Sequence, residues 1–261
     1  MRSTTLPARR RSRRPTLLIF LGLLAVAVFV IATLPAGVVV SRLQRYGVAA
    51  DAVGGTVWSG RAQGLAARGN YLGDLQWSLR PSALLRGTLA GHAVLTATDG
   101  RIETDFARAW SGRMRLESAQ ADLSLGSLAA LGVPVTRNWR GRVAADLSML
   151  ELDADWPIAA VGTIDVNDLT APPPRNARLG GYRLTFTESD GAGEPLKAAI
   201  TQTDGPLLLD GELTLGRDRS FKLEGRLAPR GTAPPDLANL LQALGPPDAR
   251  GRRPFSMSGT F

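Results

Sequence analysis

The chain has 261 residues, 44% of them hydrophobic, and a formal net charge of +8. This hydrophobic fraction is ordinary for a protein that folds around a core, which excludes wholesale disorder. Six of the 31 basic residues are arginines before residue 15, so the rest of the chain has 25 basic against 23 acidic residues. Such a balance argues against nucleic-acid binding, which needs basic side chains concentrated on the folded part.

The first predicted elements are a basic cytoplasmic tail at 1–16 and a transmembrane helix at 17–34. The second segment is uncharged and would extend about 27 Å as a helix, close to the roughly 30 Å hydrocarbon core of a bilayer. A cleaved signal peptide is the alternative, but its apolar region is typically about 7–15 residues long. Positive charge beside a first span stays in the cytoplasm. We therefore expect a single-pass inner-membrane protein with residues 35–261 in the periplasm.

Beyond residue 35, short runs of two-residue alternation separated by Gly, Pro, Asp and Asn predict a mostly β domain. The candidate strands lie at 51–58, 71–79, 87–96, 101–106, 114–123, 141–152, 157–166, 181–187, 196–203, 206–215, 221–227 and 254–261. Helices are predicted only at 126–131 and 235–244. Three prolines make 171–176 a loop or hinge, and with it a candidate boundary between two halves.

Each predicted strand has one apolar face. The apolar sets are Met114, Leu116 and Ser118 in one run, Tyr182, Leu184 and Phe186 in another, and Phe221, Leu223, Gly225 and Leu227 in a third. Antiparallel sheets accommodate this pattern, because one face packs while the other meets water. The fold expected is therefore a curved, largely antiparallel, groove-like sheet with few short helices.

A search for catalytic and metal-binding groups yields no candidate. Cysteine is absent, and the only histidine, His92, lies in a β-like run without a nucleophile motif near any serine. The densest acids, Glu151, Asp153 and Asp155, are expected to share a solvated strand face, because nothing in the chain supplies further metal ligands. A pair of acids for glycoside hydrolysis stays open, since its separation is spatial. We expect no enzyme activity, no cofactor and no metal.

Two tryptophans lie beside small or turn-forming residues, where a large ring can plug the end of a sheet. Packing in the core is one interpretation of Trp58 and Trp77. Docking to a partner or to the membrane–water boundary is the other, because indole is a preferred anchor at both. With Gly55, Gly60 and Pro81, these tryptophans are the candidate docking residues.

The most specific signal is the order of several short motifs. They are GTVWSGRA at 55–62, LGDLQWSLRP at 72–81, LLRG at 84–87, DGPL at 204–207, GEL at 211–213, LGPPD at 244–248 and GTF at 259–261. Together with the arginine-flanked apolar segment and Leu34–Pro35, they resemble the protein N family of the bacterial type II secretion system. The stretch 125–171 matches only in general character.

The resemblance implies an accessory inner-membrane subunit of the machinery that exports folded periplasmic proteins. Its expected partners are other type II secretion subunits, namely the inner-membrane platform, with the secretin as a further candidate. Contact through a sheet edge or surface would need no special side chains. The family is similar to AsmA-like proteins with groove-forming sheets, which leaves a second hypothesis, a groove that binds or transfers lipid. Fold analogy alone does not decide between them.

Overall fold

The computed structural model describes residues 29–30, 32–43, 47–67, 69–131, 138–172, 177–188, 193–230 and 245–260. Most of these residues form one antiparallel sheet of fourteen strands. The strands are β1 Val48–Ala49, β2 Ala52–Gly55, β3 Ser59–Ala67, β4 Asn70–Leu79, β5 Thr88–Ala97, β6 Gly100–Ala109, β7 Met114–Ser124, β8 Arg140–Asp153, β9 Trp156–Thr170, β10 Arg178–Phe186, β11 Leu196–Asp204, β12 Leu207–Leu215, β13 Ser220–Pro229 and β14 Arg253–Thr260. The predicted mostly β, antiparallel fold is confirmed.

Short helices flank the sheet at Ala36–Leu43 (α1), Pro81–Leu84 (α2) and Leu125–Ala130 (α3). No helix in the part of the chain that the structure describes is long and apolar enough to cross a membrane. The predicted span at 17–34 lies mostly before residue 29, and the predicted helix at 235–244 also lies outside the described residues.

The sheet is a meander. Strands β3 to β14 follow one another in chain order, and both β1 and β2 pair with β3. Such neighbours need only local connections, which fall alternately at two ends of the sheet. Pro35 forms a bridge with Thr56 in the β2–β3 turn. We call that end the entry end and the other the distal end. The entry end also has the β4–β5, β6–β7, β8–β9, β10–β11 and β12–β13 connections.

The strand register places apolar residues in an unbroken row across the sheet. From β2 to β14 the row is Val53, Ala62, Leu75, Leu95, Ile102, Ala121, Ala145, Ile164, Leu184, Ile200, Gly211, Gly225 and Phe255. We call the side with this row the apolar face. Because side chains alternate along a strand, the residues directly before and after each of these positions point to the opposite side of the sheet, which we call the polar face.

Cross-strand ion pairs cover the polar face. The Arg183 guanidinium donates to both carboxylate oxygens of Asp165, at 2.6 and 3.0 Å. Arg142 bonds to Asp122 at 2.9 Å, and Arg115 bonds to Glu151. Both charge signs therefore alternate across this face, as expected where a sheet meets water.

The apolar face has a buried cluster that crosses the sheet from β7 to β12. Its centre is Leu147, Ala160, Phe186, Leu196 and Ala198, each less than 9% exposed. Contacts in the described part of the chain run mostly between neighbouring strands, with no second sheet over this face. The cluster must therefore be shielded by curvature of the sheet itself, which long twisted sheets adopt.

The bend is visible at the entry end. The Trp156 Nε1–H donates to the Gly216 carbonyl at 2.8 Å, and the Arg219 side chain reaches the Ala154 carbonyl at 3.3 Å. These bonds join the β8–β9 turn to the β12–β13 turn. In a flat sheet, β9 and β12 would lie about 14 Å apart. The tips of the hairpins therefore curl toward each other.

The structure corrects three details of the predicted pattern. Ser118 does not continue the apolar face of Met114 and Leu116: its φ is +50°, the register between β6 and β7 shifts there, and Ala119 takes its place. Asp155 is in a turn with φ +66° and does not share a strand face with Glu151. The third correction is β3, which the alternation missed because its sequence, SGRAQGLAA, is small and polar.

The Asp99 carboxylate positions α3 at the distal end. It accepts a 2.5 Å hydrogen bond from the Ser127 hydroxyl, while the Ser124 side chain caps the helix by accepting from the Ser127 N–H. Hydrogen bonds from Ser124 and Ser127 lower the pKa of Asp99. The connection between β7 and β8 is thereby tied to the β5–β6 turn.

Phe186→Ala should lower the free energy of unfolding by about 3–5 kcal/mol, because it empties a buried position on the apolar face. Met257 lies in the same cross-strand row but is 54% exposed, so Met257→Ala should change stability by only about 0.5 kcal/mol. Urea unfolding in detergent, followed by circular dichroism, measures both. Equal losses of stability in the two variants would contradict the inference that curvature buries Phe186 but leaves Met257 exposed.

Candidate docking site

The five predicted docking residues lie together at the entry end, around the β2–β3 turn. The Thr56 N–H donates to the Ser59 carbonyl at 2.8 Å and closes this turn. Gly55 has φ +86°, and a Cβ there would lie 2.5 Å from the Ser59 oxygen, so the turn requires glycine. The GTVWSG motif thus specifies a particular tight turn.

Gly60 and Trp77 are direct partners on β3 and β4. A Cβ on Gly60 would lie 2.5 Å from Cζ2 of Trp77, so the absence of a side chain makes room for the indole. The ring is half-buried, and its Nε1–H donates to the Val57 carbonyl at 2.8 Å. Trp77 therefore fastens the β2–β3 turn to β4.

Trp58 and Pro81 both lie at the end of β4. Trp58 is bonded to Leu79, the last residue of the strand, and Pro81 follows two residues later in the chain. The Trp58 carbonyl accepts a 2.6 Å hydrogen bond from the Leu79 N–H, and its side chain is half-buried. Pro81 is exposed and begins α2, a position where the missing N–H of proline has no cost. Pro81 thus ends β4 and starts the connection to β5.

Val57, which the sequence reasoning did not single out, connects this cluster to the N-terminal segment. Its N–H donates to the Leu34 carbonyl at 2.9 Å, while its own carbonyl accepts from Trp77. Immediately after Leu34, Ala36 is only 1% exposed, and α1 packs against β1 and β2. We call Leu34, Val57, Gly60 and Trp77 the junction. Its sequence signal was the GTVWSG motif, but Val57 acts through backbone atoms that any residue has.

The other candidate surface is the apolar face away from its buried cluster. Most members of the apolar row are half-buried, including Val53, Leu75, Leu95 and Phe255 toward the two sides of the sheet. The helix α3 contacts β4, β7 and β8, and in the described part of the chain no second sheet packs on this face. Apolar surface is therefore accessible on the same side of the sheet that forms the core.

The groups considered for chemistry lie outside the apolar face. His92 is on the polar face, with Nε2 3.4 Å from Glu103 and Nδ1 3.6 Å from Asp105. Among the described residues, no group of three or more His, Asp or Glu side chains is arranged to hold a metal ion. The described geometry thus points to contact surfaces, and it offers no group of side chains to which a reaction can be assigned.

Comparisons with known proteins place the chain among the components of a protein-secretion machine. The family described as "Type II secretion system (T2SS), protein N" matches residues 46–256. A protein of Vibrio cholerae serotype O1, named type II secretion system protein N, is 28% identical over 246 residues, covering 88% of this chain and 92% of that protein. The chain belongs to the type II secretion system protein N family, which confirms the resemblance. No solved structure matches it.

Trp77→Phe should weaken the junction by about 1 kcal/mol, because phenylalanine keeps an aromatic ring but lacks the indole N–H that donates to the Val57 carbonyl. Amide exchange in the 53–60 segment should become faster, which hydrogen–deuterium exchange measures on the full chain. Trp110→Phe is the matched control, since Trp110 is 80% exposed. Unchanged exchange in the Trp77 variant would show that the turn does not depend on this bond.

Proposed function

We propose that the chain is an accessory, single-pass inner-membrane subunit of the type II secretion machinery. Residues 1–16 are cytoplasmic, 17–34 span the membrane, and 35–261 form one periplasmic unit. Family membership, the uncharged segment before residue 29 and the arginines before it support this arrangement. The junction supports it too, because it fixes Leu34 to one end of the sheet.

The observation that carries the proposed mode of action is the open edge at β14. In the described part of the chain, β14 pairs with β13 and has no strand on its outer side. Edges are usually protected by charge, proline or a covering element. β14 begins with Arg253 and Pro254, but its residues 255–259 have neither charge nor proline. The opposite edge is a two-residue strand packed against α1.

The 255–259 part of this edge can accept a strand from a partner. The partner's main chain would complete the hydrogen bonds of β14, and alternate side chains would contact the two faces. Partners among the periplasmic parts of platform subunits, with the secretin as a further candidate, fit this mode. It also needs no catalytic group, cofactor or metal.

Photocrosslinking in the native membrane tests the edge. With a photoreactive amino acid at Ser258, on the polar face of β14, ultraviolet light should link the chain to another secretion subunit. Thr201 is a matched position, since it is exposed on the same face but lies on the interior strand β11. Crosslinks that are equal at both positions, or absent from Ser258, would reject edge pairing.

Lipid binding on the apolar face is the second candidate function. The specific observation in its favour is the half-buried apolar row, which no second sheet covers in the described part of the chain. An acyl chain could lie along such a row, because both surfaces are apolar. In this case the sheet would bind or pass lipid between membranes.

Adjacent alanines on β8 separate the two faces in one experiment. Ala145 lies in the apolar row, whereas Ala144 lies opposite Asp122 and Asp165 on the polar face. If lipid occupies the row, Ala145→Gln should reduce labelling by a photoreactive fatty acid several-fold, and Ala144→Gln should not. Mass spectrometry locates the labelled residues. Equal labelling of both variants, or no labelling of the sheet, rejects the lipid groove.

A further inference from the structure

Two large apolar side chains project from neighbouring connections at the entry end. Leu85, between β4 and β5, is 91% exposed, and Trp110, between β6 and β7, is 80% exposed. The connections touch: the backbone N–H of Trp110 donates to the Gly87 carbonyl at 3.4 Å, and a Cβ on Gly87 would lie 3.1 Å from Trp110 Cδ1. One edge of the indole lies against this backbone, while most of the ring faces outward.

The backbone of each connection is held by its own hydrogen bonds. The Gly87 N–H donates to the Leu84 carbonyl at 3.0 Å, and the Gly112 N–H donates to the Ala109 carbonyl at 3.0 Å. Both glycines have positive φ, +72° and +93°, which tight turns require. Leu85 and Trp110 are therefore presented to solvent by well-defined turns.

The charge around these side chains is positive. The segments 80–89 and 106–116 have five arginines and no acidic residue. Arg80 and Arg115 bond to Asp105 and Glu151, whereas Arg86 and Arg113 are exposed and form no ion pair with any described residue. We call Leu85, Arg86, Trp110 and Arg113 the entry-end patch.

This composition does not extend along the whole entry end. The β8–β9 turn has Asp155, and the β12–β13 turn has Asp218 between Arg217 and Arg219. In the described part of the entry end, the combination of exposed apolar side chains with unpaired arginines thus occurs on the β4–β7 side. That side is next to the junction, where the Leu79 N–H bonds to the Trp58 carbonyl and Val57 bonds to Leu34.

We propose that the entry-end patch docks on the phospholipid surface. The inference rests on the proposed membrane anchor, because an anchor that ends at Leu34 brings the bilayer to this end of the sheet. Leu85 and Trp110 then enter the headgroup region, where indole is favoured, and Arg86 and Arg113 meet lipid phosphates. The span and the patch together make two attachments, which fix the direction in which the sheet leaves the membrane.

The absence of cysteine from the chain permits a clean labelling experiment. Full-length Leu85→Cys is labelled with nitrobenzoxadiazole and reconstituted into vesicles of phosphatidylethanolamine and phosphatidylglycerol. Its emission should shift to shorter wavelength, and iodide should quench it several-fold less than it quenches the control. The control is Leu208→Cys, at a leucine that is 45% exposed at the distal end. Because both leucines are exposed, neither change should disturb the fold.

Flotation of the same vesicles separates the two proposals. If the chain floats and only the label at position 85 is shielded, the patch is on lipid. If the chain floats and both labels report water, the patch inference is overturned while the anchor stands. A chain that does not float refutes the anchor and the patch together. Shielding of position 85 that appears only after native membrane extract is added would assign the patch to a protein and overturn lipid docking.

Arginine substitutions test the charge component in the same vesicles. Arg86→Gln with Arg113→Gln should reduce the shielding of position 85 in anionic vesicles and have little effect in phosphatidylcholine vesicles. The matched double variant, Arg217→Gln with Arg226→Gln, changes two exposed arginines outside the patch and should leave the shielding unchanged. Equal effects of the two double variants would overturn the role given to Arg86 and Arg113.

Discussion

The structure depends on one constraint: a single antiparallel layer must shelter its own apolar face. The register lines up apolar residues from Val53 to Phe255, yet no second described layer covers them. Curvature is the remaining means of burial, and it succeeds best between β7 and β12, where Phe186 and Leu196 are less than 9% exposed. Toward the two sides of the sheet most of the row is only half-buried, although Ala62 is buried. Core and candidate binding surface are therefore continuous parts of the same face.

A second relation joins the sheet to the N-terminal segment. The Val57 N–H donates to the Leu34 carbonyl, and the Val57 carbonyl accepts from the Trp77 indole. One residue therefore connects the N-terminal segment to β4. The meander then extends sideways from this point, and its last strand, β14, lies at the far side with an open edge. In the proposed function, membrane contact and partner contact are thereby placed on different parts of one sheet.

Much of the fold was predictable because side-chain alternation in a half-covered sheet is a local signal. Tyr182, Leu184 and Phe186 share a face as expected, and the predicted turn at 126–131 corresponds to α3. The failures occurred where local signal is weak. β3 is a strand because β1, β2 and β4 all pair with it, and Ser118 leaves the pattern because the pairing of β7 with β6 shifts register there. The docking motif was visible as a sequence, but Val57 contributes backbone atoms and could not be distinguished by residue type.

By itself, the sequence determined the strand-rich class, the absence of any thiol chemistry and the family to which the chain belongs. Composition, alternation and short ordered motifs are properties of neighbouring residues and need no knowledge of distant contacts. Only the tertiary structure decided that Gly60 makes room for Trp77, that the connections with Leu85 and Trp110 meet at Gly87, and that the β8–β9 and β12–β13 turns meet. Strand order, register and curvature set these meetings, and all three arise from pairing between whole strands, which a short sequence pattern does not contain.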